Sequence, residues 1–181
     1  MERVLGEGGM GRVYAAWDEL RQRTVALKSL LAFRDASALA EEFRLLTRLS
    51  HPNLVEIYDF HREAGEVCAG AELRGPCFAM EFLEGYSLDQ IELDNSPEAA
   101  PELLAQWLAG LQYLHARGVL HRDLKPGNLI RLRDGRLKLL DFGLAGEAED
   151  AAGPRGTLAY LAPEAFFGTY ESRSDLFSVG A

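Results

Sequence analysis

Cysteine is scarce in this sequence: Cys68 and Cys77 are the only two among 181 residues. Two thiols cannot build a disulfide scaffold, and no Cys/His cluster has zinc-site spacing. Both are expected as reduced thiols. Positive charge is also short, with 19 Lys and Arg against 28 Asp and Glu, for a formal net charge of -9. That balance excludes the basic face needed for nonspecific binding to nucleic acid or an anionic membrane. No run of eighteen apolar residues occurs, so no segment reads as a bilayer span. The opening Met1-Glu2-Arg3 is charged and no secretion-signal core follows it. A cytoplasmic location, with no membrane contact from this segment, is expected. What is present is a composition 48% hydrophobic and 9% aromatic, enough for a real core and against disorder. The length suits one ordinary domain or two small lobes.

Arg12 to Trp17 and Thr24 to Leu30 read as strands flanking a charged turn, behind the glycine-dense Gly6-Glu7-Gly8-Gly9-Met10-Gly11. Helical spacing of Leu39, Phe43, Leu46 and Leu49 predicts a helix over 36–49, ended by His51-Pro52-Asn53. Leu54 to Phe60 and Cys77 to Leu83 read as strands joined by a long polar hairpin loop, which completes a sheet of about five strands. Glu84-Gly85 marks a change of character. Ser96-Pro97-Glu98 has the hydroxyl, proline and acid of a helix entry. Leu104, Trp107, Leu108, Leu111 and Leu114 form the expected apolar stripe, and Gly118 a stop. Leu129 to Leu132 and Leu137 to Leu140 read as strands around Arg133-Asp134-Gly135-Arg136. A last helix is expected from about Ser174. No internal repeat and no low-complexity segment is seen.

Four motifs carry chemistry. Gly6-x-Gly8-x-x-Gly11-x-Val13 is weak alone, because dinucleotide sites share the glycines. Those sites need a helix next, whereas Arg12 to Trp17 reads as a strand. The glycines therefore sit in a hairpin whose backbone can close over phosphates, and no Lys-Ser/Thr follows to make a P-loop. In Val25-Ala26-Leu27-Lys28, period two puts Ala26 and Lys28 on one face. That face suits a flat ring on Ala26 with its phosphates at Lys28; a solvated strand lysine is the plainer alternative. Glu42 shares the apolar stripe of Leu39 and Leu46, whereas Glu41 is rotated about 100° away. A carboxylate there needs a cation, and Lys28 is the candidate. The strongest motif is His121-Arg122-Asp123-Leu124-Lys125-Pro126-Gly127-Asn128, followed by Asp141-Phe142-Gly143. Hard oxygen ligands suit a magnesium nucleotide, and a separate carboxylate suits a hydroxyl proton.

In this order the motifs resemble the signature of the protein kinase family, more narrowly the bacterial serine/threonine kinases of eukaryotic type. The resemblance covers essentially the whole chain. It implies an α+β, two-lobed fold: a small antiparallel sheet lobe with one helix over 1–83, and a mainly helical lobe over 84–181, truncated at its central helix. It implies a protein kinase that transfers the γ-phosphoryl group of ATP, with Mg2+, to a Ser/Thr hydroxyl of a protein substrate. By similarity Gly6, Gly8 and Gly11 cover the phosphates, Val13 and Ala26 pack on the adenine, and Lys28 tied to Glu42 holds the α- and β-phosphates. Leu5 and Ile130 join them as nucleotide-binding positions. Met80 is the implied gatekeeper, and the backbone of Glu81 and Leu83 is to bond the adenine edge. Asp123 is the implied base, Lys125 neutralises the γ-phosphate, and Asn128 and Asp141 hold magnesium. Thr157, within Gly156 to Glu164, is to bond near Asp123 and Lys125 and help select serine or threonine. Leu46, Ile57, Phe142 and His121 form an implied stack anchored by Asp175.

The chain departs from the family pattern in three places. It stops at Ala181, so a fragment is expected, with Glu164 lacking the arginine it would pair with; the activity of the piece on its own, and membrane attachment of the parent protein by a segment outside this chain, stay open. No Ser, Thr or Tyr lies between Gly143 and Gly156. Glu147, Glu149 or Asp150 is the candidate substitute charge for Arg122, against a solvated acidic loop. The stretch from Ala64 to Pro76 is longer than usual in this hairpin. The rival functions are a non-catalytic nucleotide-binding scaffold and a small-molecule phosphotransferase.

Overall fold

The structure is a computed structural model, which describes residues 3–8, 11–30, 43, 46–61, 67–68, 71–72, 76–91, 99–142 and 157–181. The chain divides into two compact units, Met1–Ser50 with Glu56–Leu83, and His51–Val55 with Glu84–Ala181. Both strand and helix are present, in a mixed α+β architecture.

The first unit is built on β1 (Arg3–Gly8), β2 (Gly11–Asp18), β3 (Arg23–Leu30), β4 (Ile57–His61) and, after a short ribbon, β7 (Cys77–Glu81). The sheet runs in the order β1-β2-β3-β7-β4, each neighbour antiparallel. The β2–β3 turn forms because the Asp18 carboxylate accepts the backbone N–H of Leu20 and Arg21, both at 2.9 Å. Facing residues of antiparallel strands share a side of the sheet. Ala16, Val25, Leu27 and Ala79 accordingly form one buried cluster, against which Tyr14 and Tyr58 pack. Val13, Lys28 and Phe78 face one another on the opposite side, as do Ala15, Ala26 and Met80. Phe43 and Leu46 are helical and buried, with the Phe43 ring 5.0 Å from Phe60 and 5.9 Å from Phe78. The rest of the expected helix over 36–45 lies outside the described residues.

Two features of this unit differ from expectation. The long hairpin loop holds a ribbon of its own, β5 (Val67–Cys68) paired with β6 (Ala71–Glu72). Strands this short have no hydrophobic period to read. The strand expected from Leu54 begins at Ile57. The preceding residues are drawn into the second unit, where Leu54 bridges Leu139 in parallel.

That second unit contains β8 (Gly85–Ser87), α1 (Ala99–His115), β9 (Leu129–Leu132), β10 (Leu137–Leu139) and α2 (Ser172–Gly180). β8, β9 and β10 form a three-stranded antiparallel sheet. His51–Val55 runs beside β10: Val55 N–H donates to the Leu139 carbonyl at 3.0 Å, and Leu139 N–H to Asn53 O at 2.9 Å. The buried Asn53 amide adds a bond to Leu137 O at 2.9 Å, and Lys138 Nζ one to Leu54 O at 3.0 Å. Gln106 of α1 accepts from Asn53 Nδ2 and from Leu137 N–H, which locks helix, strip and hairpin together.

The buried stripe of α1 is Leu103, Leu111 and Leu114, which recur at helical spacing. At about 1.5–3 kcal/mol per fully buried leucine, this face fixes the helix. The buried face is narrower than the expected stripe: Leu104 and Leu108 are 44% and 37% exposed. Steps of 100° per residue carry them to the flank of that face. Gly118 ends the helical turn with a φ of 74°, where a side chain would be strained. The helix entry over 96–98 lies outside the described residues. α2 starts two residues before the expected Ser174, because Glu171 and Ser174 form a reciprocal capping box.

β8 has no counterpart in the sequence reading, and Gly85 shows why this position takes no side chain. A Cβ there would overlap the Arg131 carbonyl oxygen and stand 2.8 Å from Ile130 Cγ2. Gly85→Ala is expected to destabilise the second unit by about 1–3 kcal/mol through overpacking against backbone. A urea midpoint indistinguishable from wild type would contradict this.

Candidate active site

The segment from His121 to Asn128 is shaped by its own polar groups. Leu124 is buried, and Pro126 opens a single 3-10 turn, Pro126–Asn128, closed by Asn128 N–H to Lys125 O at 3.0 Å. Proline suits that first position because its missing N–H would have no partner there. The result is a loop that returns its side chains to one carboxylate.

That carboxylate is Asp123. Lys125 Nζ donates to its Oδ2 at 2.7 Å, and Asn128 Nδ2 reaches the same oxygen at 3.2 Å. Its Oδ1 accepts from the Thr157 N–H at 3.0 Å and from the Thr157 hydroxyl at 3.1 Å. Thr157 Oγ1 in turn accepts from Lys125 Nζ at 3.0 Å. Four donors fix the rotamer of a group that is 7% exposed, so its position is set before any ligand arrives. The structure thus brings Asp123, Lys125, Asn128 and Thr157 together.

Asn128 and Asp141 are placed by the β9–β10 hairpin. Leu129 faces Leu139, and Leu140 N–H donates to Asn128 O at 2.9 Å. The two residues therefore stand at the same end of the hairpin. Asn128 Nδ2 also donates to the Asp123 carbonyl at 2.7 Å, which turns its amide oxygen the other way. Asp141 has a φ of 55°, a left-handed backbone that is uncommon for a non-glycine residue and typical of sites where geometry is imposed.

His121 is fully buried and ties the loop to that end. Its Nδ1 accepts the Asp123 N–H at 3.3 Å while Nε2 lies 2.7 Å from Leu140 O. This pattern fits a neutral ring with the proton on Nε2. Burial holds its pKa below the ordinary value of 6.5, against the opposing pull of Asp175, the Leu140 bond, Asp141 and Asp123. Arg122 has a φ of 69°. The buried Asp175 carboxylate accepts the N–H of His121 and of Arg122, both at 2.9 Å.

Two contacts here escaped the sequence reading. Tyr170 Oη donates to Arg122 O at 3.0 Å, and His115 Nε2 stands 2.8 Å from Asp175 Oδ2. Neither residue belongs to a contiguous string; the signal that could have found His115 is its place on the polar last turn of α1. Glu164, expected without an arginine partner, accepts the Ser174 hydroxyl at 2.7 Å. That bond holds its carboxyl below the usual carboxylate range.

In the first unit Val13, Ala26, Lys28 and Met80 lie on one side of the sheet. Lys28 is 5% exposed, with its ammonium 5.9 Å from the centre of the Phe78 ring. Gly6 faces Val13, and Gly8 faces Gly11. Leu5 is the extra residue where the β1–β2 register shifts between Val4 and Gly6, and it is 39% exposed. Glu81 N–H is occupied by Glu56 O at 2.8 Å, and Leu83 follows β7, half-buried. Ile130, in the second unit, faces Lys138 on one side and Ser87 on the other. Glu42, Gly143, Gly156 and the acids Glu147, Glu149 and Asp150 lie outside the described residues.

A family model described as the protein kinase domain matches residues 1–181. The chain belongs to that family. Relatives of the kinase chain include the probable serine/threonine-protein kinase PknB of Bifidobacterium longum, 36% identical over 98% of this chain and 28% of that protein. The DNA damage-responsive serine/threonine-protein kinase RqkA of Deinococcus radiodurans is also 36% identical, over 98% of this chain and 28% of its own length. The serine/threonine-protein kinase pkn2 of Myxococcus xanthus is 40% identical over 98% of this chain and 23% of its own. The chain thus spans between a fifth and a third of the length of these relatives. No helix among the described residues is long and apolar enough to cross a membrane.

Two histidines are expected to make the second unit of this kinase domain acid-sensitive. Burial, then the charges of Arg117 and Lys138, hold His51 below its ordinary 6.5, as burial does for His121. Both rings are favoured neutral when folded, while the unfolded chain protonates at the ordinary value. Their contribution is therefore present above about pH 6.5 and lost as pH falls below it. The urea midpoint is expected to drop between pH 7.5 and 5.5, with part of that slope removed by His51→Gln. A flat profile across this window would count against the assignment.

Proposed function

We propose that the chain is the catalytic part of an ATP-dependent protein serine/threonine kinase. The carrying observation is the Asp123 carboxylate, held by Lys125, Asn128 and Thr157 on a loop pinned through its own backbone. In this reading Asp123 orients the substrate hydroxyl and accepts its proton. Lys125, already poised on Asp123 and Thr157, lays its charge against the transferring phosphoryl group. Thr157 fixes the carboxylate rotamer and borders the space where a serine or threonine hydroxyl would sit.

The residues fit a magnesium nucleotide. Asn128 and Asp141 offer hard oxygens from one end of a hairpin, the donor chemistry magnesium takes. A Cβ on Gly6 would meet nothing within 4 Å, so the space beside this backbone is open, which suits the approach of a phosphate. Lys28 would pair with Glu42 and hold phosphate oxygens, and Gly8 and Gly11 of the β1–β2 hairpin would cover them. Leu5, Val13, Ala26, Met80 and Ile130 would pack on the base, and the backbone of Glu81 and Leu83 would bond its edge. ATP with Mg2+, when bound, supplies the phosphoryl group and neutralises the charge that develops as it transfers.

A radiolabel transfer assay in the full-length protein, offering protein substrates and small-molecule alcohols together, tests the reading. Label on serine or threonine of protein is the expected result. Label on small molecules alone, or none, would reject it.

A further inference from the structure

We infer that Tyr170 and His115 are positioning residues that clamp the Arg122 peptide from both ends and so set the place of Asp123. The inference rests on the kinase reading for its consequence, but on hydrogen bonds alone for its geometry. Arg122 is held at a φ of 69°, a conformation that costs a non-glycine residue about 1–2 kcal/mol. It lies immediately before Asp123, so relaxation of its backbone would swing the next side chain.

Two groups oppose that relaxation. On the N–H side stands Asp175, fully buried, with Oδ1 on the Arg122 N–H and Oδ2 on the His121 N–H. Its Oδ2 also takes a bond from His115 Nε2 at 2.8 Å. A carboxylate can only accept, so the imidazole donates, and its third bond fixes the plane in which the carboxylate meets the loop. On the carbonyl side stands the Tyr170 hydroxyl, donating at 3.0 Å to Arg122 O. Burial, then the nearby Asp175 and Asp123, push the Tyr170 phenol up to about 12. The phenol therefore keeps its proton, and remains a donor, across the range in which the protein would work. One peptide-linked residue is gripped at its donor and at its acceptor, by side chains from α2, from α1 and from the residue just before α2's cap.

Removing one neutral hydrogen bond of this kind changes an equilibrium by about three- to tenfold. Tyr170→Phe deletes a single oxygen and leaves the ring to pack. It is expected to lower kcat about three- to tenfold in the full-length protein, with the apparent KM for ATP unchanged. His115→Phe should act in the same direction, and His115→Gln, which restores an N–H, should recover most of the loss. A fall in Tm with kcat of the folded protein unchanged would make both residues merely structural and overturn the inference. Amide hydrogen exchange at 121–123 gives a reading that needs no turnover. Faster exchange in Tyr170→Phe and His115→Phe than in wild type supports the clamp, even if wild type transfers no phosphate and the kinase reading itself fails. Unchanged exchange at these amides overturns the clamp, whatever the activity.

Discussion

Asp123→Asn is expected to reduce phosphoryl transfer by about 10²–10⁴-fold, the usual weight of a positioned acid or base. The substitution removes the proton acceptor and also disturbs its surroundings. An asparagine carbonyl can keep the Thr157 pair on one side. Its amide nitrogen would then face the Lys125 ammonium and the Asn128 amide, which now donate to Oδ2. Donors opposed to donors push Lys125 out of place, so two roles fall together. Nucleotide affinity should fall far less than turnover, because Lys125 is the one phosphate-assigned group displaced outright, while Lys28 and the glycines of the first unit are untouched. The test is paired: transfer rate, and nucleotide affinity by titration. Retention of wild-type turnover would remove Asp123 from the chemistry and with it the proposed function.

The largest effect on stability is expected from Asp175→Ala. Its carboxylate is fully buried and takes three donors, from His115, His121 and Arg122. Truncation leaves those donors facing a void at once. Loss of one partner from a buried charged network costs about 3–5 kcal/mol, a large part of a typical domain's 5–15 kcal/mol. Asp175→Asn keeps one acceptor and shape, and should cost about 1–3 kcal/mol. Urea denaturation of the two variants orders them; equal and small shifts for both would mean that the carboxylate is not the anchor. A difference between them isolates the ionic part from the packing part.

What could be read from the sequence, and what could not, follows from how each feature is encoded. β2, β3 and the β9–β10 hairpin were legible because short apolar runs, β-branched and aromatic in β2 and β3 and leucine-rich in β9 and β10, are bounded by turn residues such as Asp134-Gly135. The meeting of Thr157 with Asp123 and Lys125 came from the resemblance alone, since a gap of 32 residues or more carries no local signal. β8 and the β5–β6 ribbon, at three and two residues each, are too short for a period. The face of α1 was misplaced because leucines crowd both its buried side and its flank, and only burial distinguishes Leu103 from Leu104. Tyr170 and His115 were missed because a hydrogen bond to a backbone carbonyl or a buried carboxylate leaves no pattern in one sequence. The Lys28–Glu42 pair, argued from helical phase, falls at a residue outside the described set.

The path of His51–Val55 has a consequence for dissecting the protein. Those five residues leave one unit to edge the sheet of the other, and the chain then goes back. No single scission can therefore separate the units into intact pieces. A polypeptide started at Glu84 would carry β10 with a bare margin, having forfeited the Asn53 and Val55 backbone partners and the Leu54 carbonyl that meets Lys138. Unpaired margins of this kind recruit strands from other molecules. Fragment complementation, with a peptide spanning 51–55 supplied in trans, is the form in which the second unit should be handled alone.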